Sequence, residues 1–380
     1  MRKLVFAMGA GSLSVVVALL IAEVSVRVFG LAPAHNVVFE ETLRLSDDAV
    51  LEYELMPGSP DGAYTISSMG LRAREFSSPK PAGVFRIALL GDSVTFGLFC
   101  ERDELFASEL ERLLNSYAPP GSPRYEVLNM GVAGYNTRQV VRRLHILGPA
   151  VEPDLVIYGY VLNDPQAYSL ETESLQAMES AADQSLGDAL SRGIWRTLSY
   201  SRLAVMIKRT QITVAQPKLH RFEPGFAAFR AGRHVEYIRS LHADAGSWSM
   251  VSSGMAELAT VAKSLGDVPV LVAVLPISFV RNADGYPVSD VHAKVMAEAE
   301  RRGLGSTDLA PAFQAVEAAE GRRFFIDFLH MNPDGHHVVA VALFKWLCES
   351  GSLSDESPSI ASILKLQDRD GRIAKLLNYR

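Results

Sequence analysis

Gly91-Asp92-Ser93-Val94-Thr95-Phe96-Gly97 sets a serine on a turn between two glycines, directly after the apolar run FRIALL. A serine so held is exposed, and its own N–H can face an oxyanion. Gly131-Val132-Ala133-Gly134-Tyr135-Asn136 follows VLNM, and a glycine there offers a backbone N–H with no side chain in the way. Leu162-Asn163-Asp164-Pro165 follows DLVIYGY, and an Asn amide is a good donor to a developing negative oxygen. Asp327-Phe328-Leu329-His330-Met331-Asn332-Pro333-Asp334-Gly335-His336 carries an Asp and a His three apart, able to turn toward one site. A serine hydroxyl is a weak nucleophile until an adjacent base takes its proton, and Asp fixes the tautomer and orientation of such a His. The chemistry these residue types offer together is attack on an acyl carbon.

These loops need strands and helices to bring them to one place. FRIALL, YEVLNMG (125–131), DLVIYGY (154–160) and VPVLVAVLP (268–276) have the length and apolarity of buried strands. DELFASELERLLNSY (103–117) is predicted as a helix with Asp103 at its N-cap and Phe106, Leu110 and Leu113 on one face. TRQVVRRLHIL (137–147) is predicted as a second helix, and VVAVALFKWLCE as the last. Strands alternating with helices argue for an α/β fold, a parallel sheet with helices on both faces, and open parallel sheets bind ligands beyond the carboxyl ends of their strands. Residues 31–83 read as an irregular or short-stranded lead-in broken by Pro and Gly, and 84–350 as the main domain. Residues 165–245 interrupt the rhythm; a structureless stretch of that length is unexpected in a compact domain, so we read them as a helical insertion and a candidate lid. Residues 351–380 form a polar C-terminal tail.

Met1-Arg2-Lys3 precedes LVFAMGAGSLSVVVALLIA (4–22), an uncharged run long enough to cross a bilayer core as a helix. It is longer than the apolar region of a cleaved signal, and Ala32-Pro33-Ala34 lies far from it. Residues 1–30 are therefore read as an uncleaved transmembrane signal anchor, with Glu23 and Arg27 able to pair where the helix leaves the membrane. Arg2 and Lys3 would stay in the cytoplasm and the rest of the chain would be exported, making the protein single-pass and its domain periplasmic or extracellular.

Composition removes other classes. With 37 Lys+Arg against 43 Asp+Glu and a net charge of -6, the chain lacks the basic stripe of a nucleic-acid binder. A hydrophobic fraction of 48% excludes wholesale disorder. Cys100 and Cys348 make neither a disulfide scaffold nor a zinc site, and are read as free thiols. G-x-S-x-G, H-E-x-x-H and G-x-x-x-x-G-K are all missing, which disfavours an α/β-hydrolase elbow, a zinc protease and a P-loop NTPase. No metal or other cofactor is expected, and His336 and His337 are read as structural. Asp92 and Asp164 are read as residues that hold their own turns.

The order and placement of the four loops resemble the GDSL or SGNH hydrolase family, named for its Ser, Gly, Asn and His from four blocks. GDSVTFG is similar to the first block, GVAGYNT to the second and D-x-x-H to the last. Val161-Leu162-Asn163-Asp164 departs from the family's Gly-x-Asn-Asp by lacking the glycine. YTISSMGLRAREF and PKPAGVFRIALLGDS also resemble anchored bacterial members. The resemblance spans about residues 84–350 and implies a flavodoxin-like three-layer α/β/α fold. It implies Ser93 as nucleophile, His330 as general base and then acid, and Asp327 as its orienting partner. It further implies an oxyanion hole of the Ser93 N–H, the Gly134 N–H and the Asn163 side chain, with Gly131 a turn residue only.

Three functions follow as expectations. The first is an extracytoplasmic serine ester hydrolase or deacylase working through an acyl-serine, on an ester or O-acylated carbohydrate or lipid. The second is an O-acyltransferase that passes the same acyl group to a sugar hydroxyl of an envelope or exported polysaccharide. The third is an inactive carbohydrate-binding or assembly module that keeps the fold. The sequence sets neither the substrate nor the oligomeric state.

Overall fold

The computed structural model describes residues 14, 17–28, 42–58, 64–167, 172, 175, 201, 203–204, 225–278, 285–320 and 323–353. Two short strands, β1 (Leu43–Leu45) and β2 (Tyr53–Leu55), pair antiparallel in the lead-in. Five parallel strands make the main sheet: β3 (Val84–Gly91), β4 (Arg124–Asn129), β5 (Leu155–Tyr160), β6 (Val270–Val274) and β7 (Gly305–Asp308), in spatial order β4-β3-β5-β6-β7. That is the flavodoxin-like order: the strands run parallel, and the order in which they are added reverses at β3, the chain stepping out to β4 on one side and back to β5 on the other.

The order dictates the layers. Right-handed crossovers put the helix of the leftward step β3→β4 on one face, and the helices of the rightward steps on the other. On the first face α2 (Phe106–Tyr117) packs against α9 (Pro333–Ser350), and α9 against α8 (Ala310–Glu320). On the second, α3 (Thr137–Val151) packs against α6 (Ala245–Ser264), and α6 against α7 (Ser289–Arg301). The central strands lie between these layers, and every residue of β5 and β6 is buried, while no residue of the edge strand β7 is. Helices α1 (Ser93–Phe96), α4 (Phe226–Arg230) and α5 (His234–Ala243) also belong to this domain.

One expectation changes and one strand is added. Asp103 does not cap α2. It lies in a 3-10 turn, Arg102–Glu104, closed by a reciprocal box in which the Glu104 side chain accepts the Glu101 N–H and the Glu101 side chain a backbone N–H in return. The α-helix proper begins at Phe106, whose N–H goes instead to Nδ1 of His336 at 3.3 Å. The edge strand β7 had no sequence signal: GSTD is polar, and it is a strand because it pairs with β6. Phe106, Leu110 and Leu113 are buried on one face of α2, and Cys100 and Cys348 are free.

Residues 17–28 are helical, but most of the apolar run 4–22 lies outside the described residues, as do Ala32-Pro33-Ala34, most of 165–224 and the tail from 354. Among the described residues no helix is long and apolar enough to cross a membrane.

Candidate active site

β3 ends at the sheet's reversal point, and the chain turns sharply there. Gly91 has φ +155, and a Cβ on it would stand 2.1 Å from Oγ1 of Thr95, so only glycine lets α1 start this close to the strand. Asp92 caps α1, its Oδ1 accepting the Val94 N–H at 2.8 Å. Burial pushes the Asp92 carboxyl above its ordinary range, while the Val94 N–H, the His330 charge, the Asn163 amide and the Ser93 hydroxyl draw it back. Ser93 is not exposed, contrary to expectation: it is 7% accessible, and its hydroxyl is hydrogen-bonded to the His330 imidazole.

The Asp-His loop closes on itself before α9. Phe325 bridges Met331, and the Ile326 N–H donates to the His330 carbonyl at 2.8 Å. Oδ1 of Asp327 accepts the N–H groups of Leu329 and His330 at 2.9 and 2.8 Å. Its Oδ2 meets Nδ1 of His330 at 2.8 Å, and Nε2 of His330 meets Oγ of Ser93 at 2.9 Å. Burial alone would raise the Asp327 carboxyl, but the His330 charge and these N–H donors outweigh it and hold the group well below the usual carboxylate range. An ionised carboxylate only accepts, so Nδ1 carries the proton and Nε2 is left to accept from the serine hydroxyl. The Phe99 ring stands edge-on to the imidazole, 5.3 Å away and nearly perpendicular.

The two flanking loops leave the strands on either side of β3. After β4, Asn129 ties its loop to the serine turn: its Nδ2 donates to the Thr95 carbonyl at 2.7 Å and its Oδ1 accepts the Gly131 N–H at 2.9 Å. Gly131 abuts α1, where an added Cβ would come within 2.5 Å of the Phe96 nitrogen. Gly134 has φ +79, a left-handed conformation, at the tip of the same loop. After β5, Asp164 holds the Val161–Asp164 turn, its Oδ2 accepting from the Tyr158 hydroxyl at 2.6 Å and the Val161 N–H at 3.3 Å. Val161 adopts no left-handed conformation, so this turn does not need the glycine that the family pattern carries there. Burial raises the Asp164 carboxyl well above its ordinary value, and the Asp92 charge adds to that. Oδ1 of Asn163 is buried with no hydrogen-bond partner.

Ser93, His330 and Asp327 thus form one hydrogen-bonded chain, while Gly134 and Asn163 come from the loops on either side of Ser93. Sequence reasoning missed the residues that hold these loops from the lead-in. Arg72 is buried between the rings of Tyr64 and Phe96, its guanidinium 4.2 and 4.6 Å from their centroids. It donates to the carbonyls of Phe96, Gly97 and Cys100, and burial lowers it to about 10. Arg143 reaches the Met130 carbonyl at 2.8 Å and the Gly70 carbonyl from within α3. Tyr53 donates to the Ala133 carbonyl at 2.8 Å. The only available signal was the cluster of Tyr, Ser and Arg in a segment otherwise read as irregular.

Part of the insertion rests on the Asp-His loop. The His234 ring of α5 stacks on Phe328 with centroids 4.3 Å apart, and Phe229 of α4 packs edge-on to the same ring. His336 and His337 lie away from the serine: His336 is buried and stacked on Phe106, and His337 faces Glu109 at 3.3 Å. Among the described residues no group of three His, Cys, Asp or Glu side chains could hold a metal ion.

A serine, histidine and aspartate in hydrogen-bond sequence at the switch point of a flavodoxin-like sheet define a serine-hydrolase class of protein. The chain belongs to the GDSL-like lipase/acylhydrolase family, whose model matches residues 89–338, and is an SGNH-type esterase. Among solved structures it is similar to an α/β hydrolase from the metagenome of Lake Arreo, Spain, at 16% identity over 74% of this chain and 99% of that one (TM-score 0.40). It is similar to an acetyl xylan esterase at 12% identity over 69% of this chain and 100% of that one (TM-score 0.41). A lipase/acylhydrolase from Enterococcus faecalis is 15% identical over 71% of this chain and 97% of that one (TM-score 0.39). None of the curated proteins matches the chain.

Proposed function

We propose that the protein is a membrane-anchored serine ester hydrolase or deacylase that works outside the cytoplasm through an acyl-Ser93 intermediate. The observation that carries the mechanism is the unbroken chain Asp327–His330–Ser93, with bonds of 2.8 and 2.9 Å. His330 Nε2 takes the hydroxyl proton as Oγ attacks the ester carbon. The carbonyl oxygen becomes an oxyanion, received by the Ser93 N–H, the Gly134 N–H and the Asn163 amide. The intermediate collapses, the C–O bond to the leaving alcohol breaks, and His330 returns its proton to that oxygen. Water then attacks the acyl-serine with His330 again as base, releasing the acid and free Ser93.

The anchor rests on the apolar run at 4–22 and on the described part of its helix. There Val17, Leu19, Leu20, Ile21, Val24 and Val28 are 45–72% exposed, and Glu23 meets Arg27 at 2.6 Å just beyond. An exposed apolar stripe of this kind is stable when lipid covers it. The substrate is an ester or O-acylated carbohydrate or lipid.

A fluorophosphonate applied to the full chain, followed by peptide mass spectrometry, tests the mechanism. The expected result is one adduct on Ser93, lost in Ser93→Ala and in His330→Ala. A folded wild-type protein that forms no adduct, or forms it without His330, overturns the reading. With an adduct in hand, an acyl donor incubated with and without sugar acceptors separates release of free acid from transfer to a hydroxyl.

A further inference from the structure

We infer that Tyr53, which precedes the region matched by the family, is a positioning residue that aims one oxyanion donor; the inference rests on the serine-esterase reading of the site. The Ala133 carbonyl and the Gly134 N–H are the two ends of one peptide unit. A trans peptide is planar, and its C=O and N–H point in nearly opposite directions. Whatever fixes the carbonyl therefore fixes the direction of the N–H. The Tyr53 hydroxyl does so, donating to the Ala133 oxygen at 2.8 Å from a side chain with no solvent exposure.

The brace is built from both sides. The Tyr135 ring packs edge-on to the Tyr53 ring at 5.2 Å, and its hydroxyl donates back to the Tyr53 carbonyl. Nε2 of Gln139 donates to the Leu51 carbonyl at 2.9 Å, fastening the turn before β2 to α3. The loop needs such a brace because Gly134 sits at φ +79, with neighbouring geometry that glycine alone leaves loose. Donation to the carbonyl also polarises the amide, which strengthens its N–H as a donor. Tyr53 thus acts through Gly134 without touching substrate.

The test is Tyr53→Phe in the full chain, which keeps the ring and removes the donor. With p-nitrophenyl acetate, kcat should fall about three- to tenfold, the effect of one neutral hydrogen bond, with KM held within about twofold. Affinity for an aryl boronic acid, whose serine adduct carries a tetrahedral anionic oxygen, should fall by the same factor. A purely structural tyrosine would lower thermal stability and leave both ratios unchanged, and that result overturns the inference. Should Tyr53→Phe fail to fold, 3-fluorotyrosine placed at position 53 alone keeps the packing and strengthens the donor. It should raise kcat and boronate affinity together, and no change in either overturns the inference. A wild-type protein that neither turns over ester nor binds boronate fails the esterase reading itself, and the role of Tyr53 falls with it.

Discussion

Asn163 stands on a turn whose other members are locked. Asp164 is buried and takes the Tyr158 hydroxyl at 2.6 Å, and the Asp164 N–H returns to the Val161 carbonyl at 2.9 Å. Removing the Asn163 amide should leave that turn standing and, on the proposed mechanism, delete one donor to the oxyanion. Asn163→Ala should therefore lower kcat by about 10²- to 10³-fold while KM changes little. Steady-state kinetics on a simple aryl ester checks this, and an equal change in both constants would demote Asn163 to a structural residue. At this scale Ser93, His330 and Asp327 stood out as a glycine-flanked serine and a D-x-x-H loop, their roles were implied by the family resemblance, and the fold brings the three into one hydrogen-bonded chain. Tyr53 and Arg72 were not legible. Their partners Ala133 and Phe96 lie 80 and 24 residues away, and nothing local sets a structural tyrosine apart from one that braces a loop.

Between elements, the contact of α9 with α2 carries a titratable group. Nδ1 of His336 accepts the Phe106 N–H at 3.3 Å, so the ring must be neutral there. Burial, with the Arg72 and His330 charges, lowers it to about 3. His242 of α5 is similar: Nδ1 meets the Ile238 carbonyl at 2.8 Å and Nε2 the Tyr160 hydroxyl at 2.9 Å, and it is lowered to about 4, chiefly by burial. Histidine in the unfolded chain titrates near 6.5, so below that pH the unfolded state binds the extra protons. Stability from both groups is fully present above about pH 6.5 and is lost as pH falls toward 4. Thermal melts across that window should show it, with a shallower fall in His336→Asn, whose side-chain oxygen can still accept the Phe106 N–H. Equal slopes in the two proteins would remove His336 from the account. The apolar strands β3, β4, β5 and β6 were readable from their runs, although Arg86 inside FRIALL is itself fully buried, bonded to Glu126 at 2.7 Å. β7 and the start of α2 were not readable, because one is fixed by a neighbouring strand and the other by a histidine 230 residues later.

For the molecule as a whole, the alternation of strands and helices was enough to give a parallel three-layer fold. The flavodoxin-like strand order was implied by the family resemblance and is seen in the sheet; periodicity alone does not say which neighbour a strand chooses. The reading of residues 1–30 as an anchor belongs to this scale. The full chain should stay with membranes after an alkaline carbonate wash, and its domain should be cut by protease added from the outside only. A chain released by the wash, or protected from external protease, would sink the anchored, exported arrangement. The lead-in cannot be treated as a passive spacer ahead of the domain. Its strand β2 grips the Ala133 loop, and Arg72 grips the serine turn at Phe96, Gly97 and Cys100.

That grip also sets an order of events on the ribosome. Residues 42–76 are made first, yet Arg72 finds its carbonyls only once Cys100 exists, Tyr53 only once Ala133 exists, and Gly70 only once Arg143 does. The His330 that completes the serine's hydrogen bond arrives nearly two hundred residues later still, |i−j| being 237 from Ser93. On the proposed mechanism, the lead-in therefore has its partners on the loops around Ser93 well before the base is made, and an unfinished polypeptide carries an inert serine.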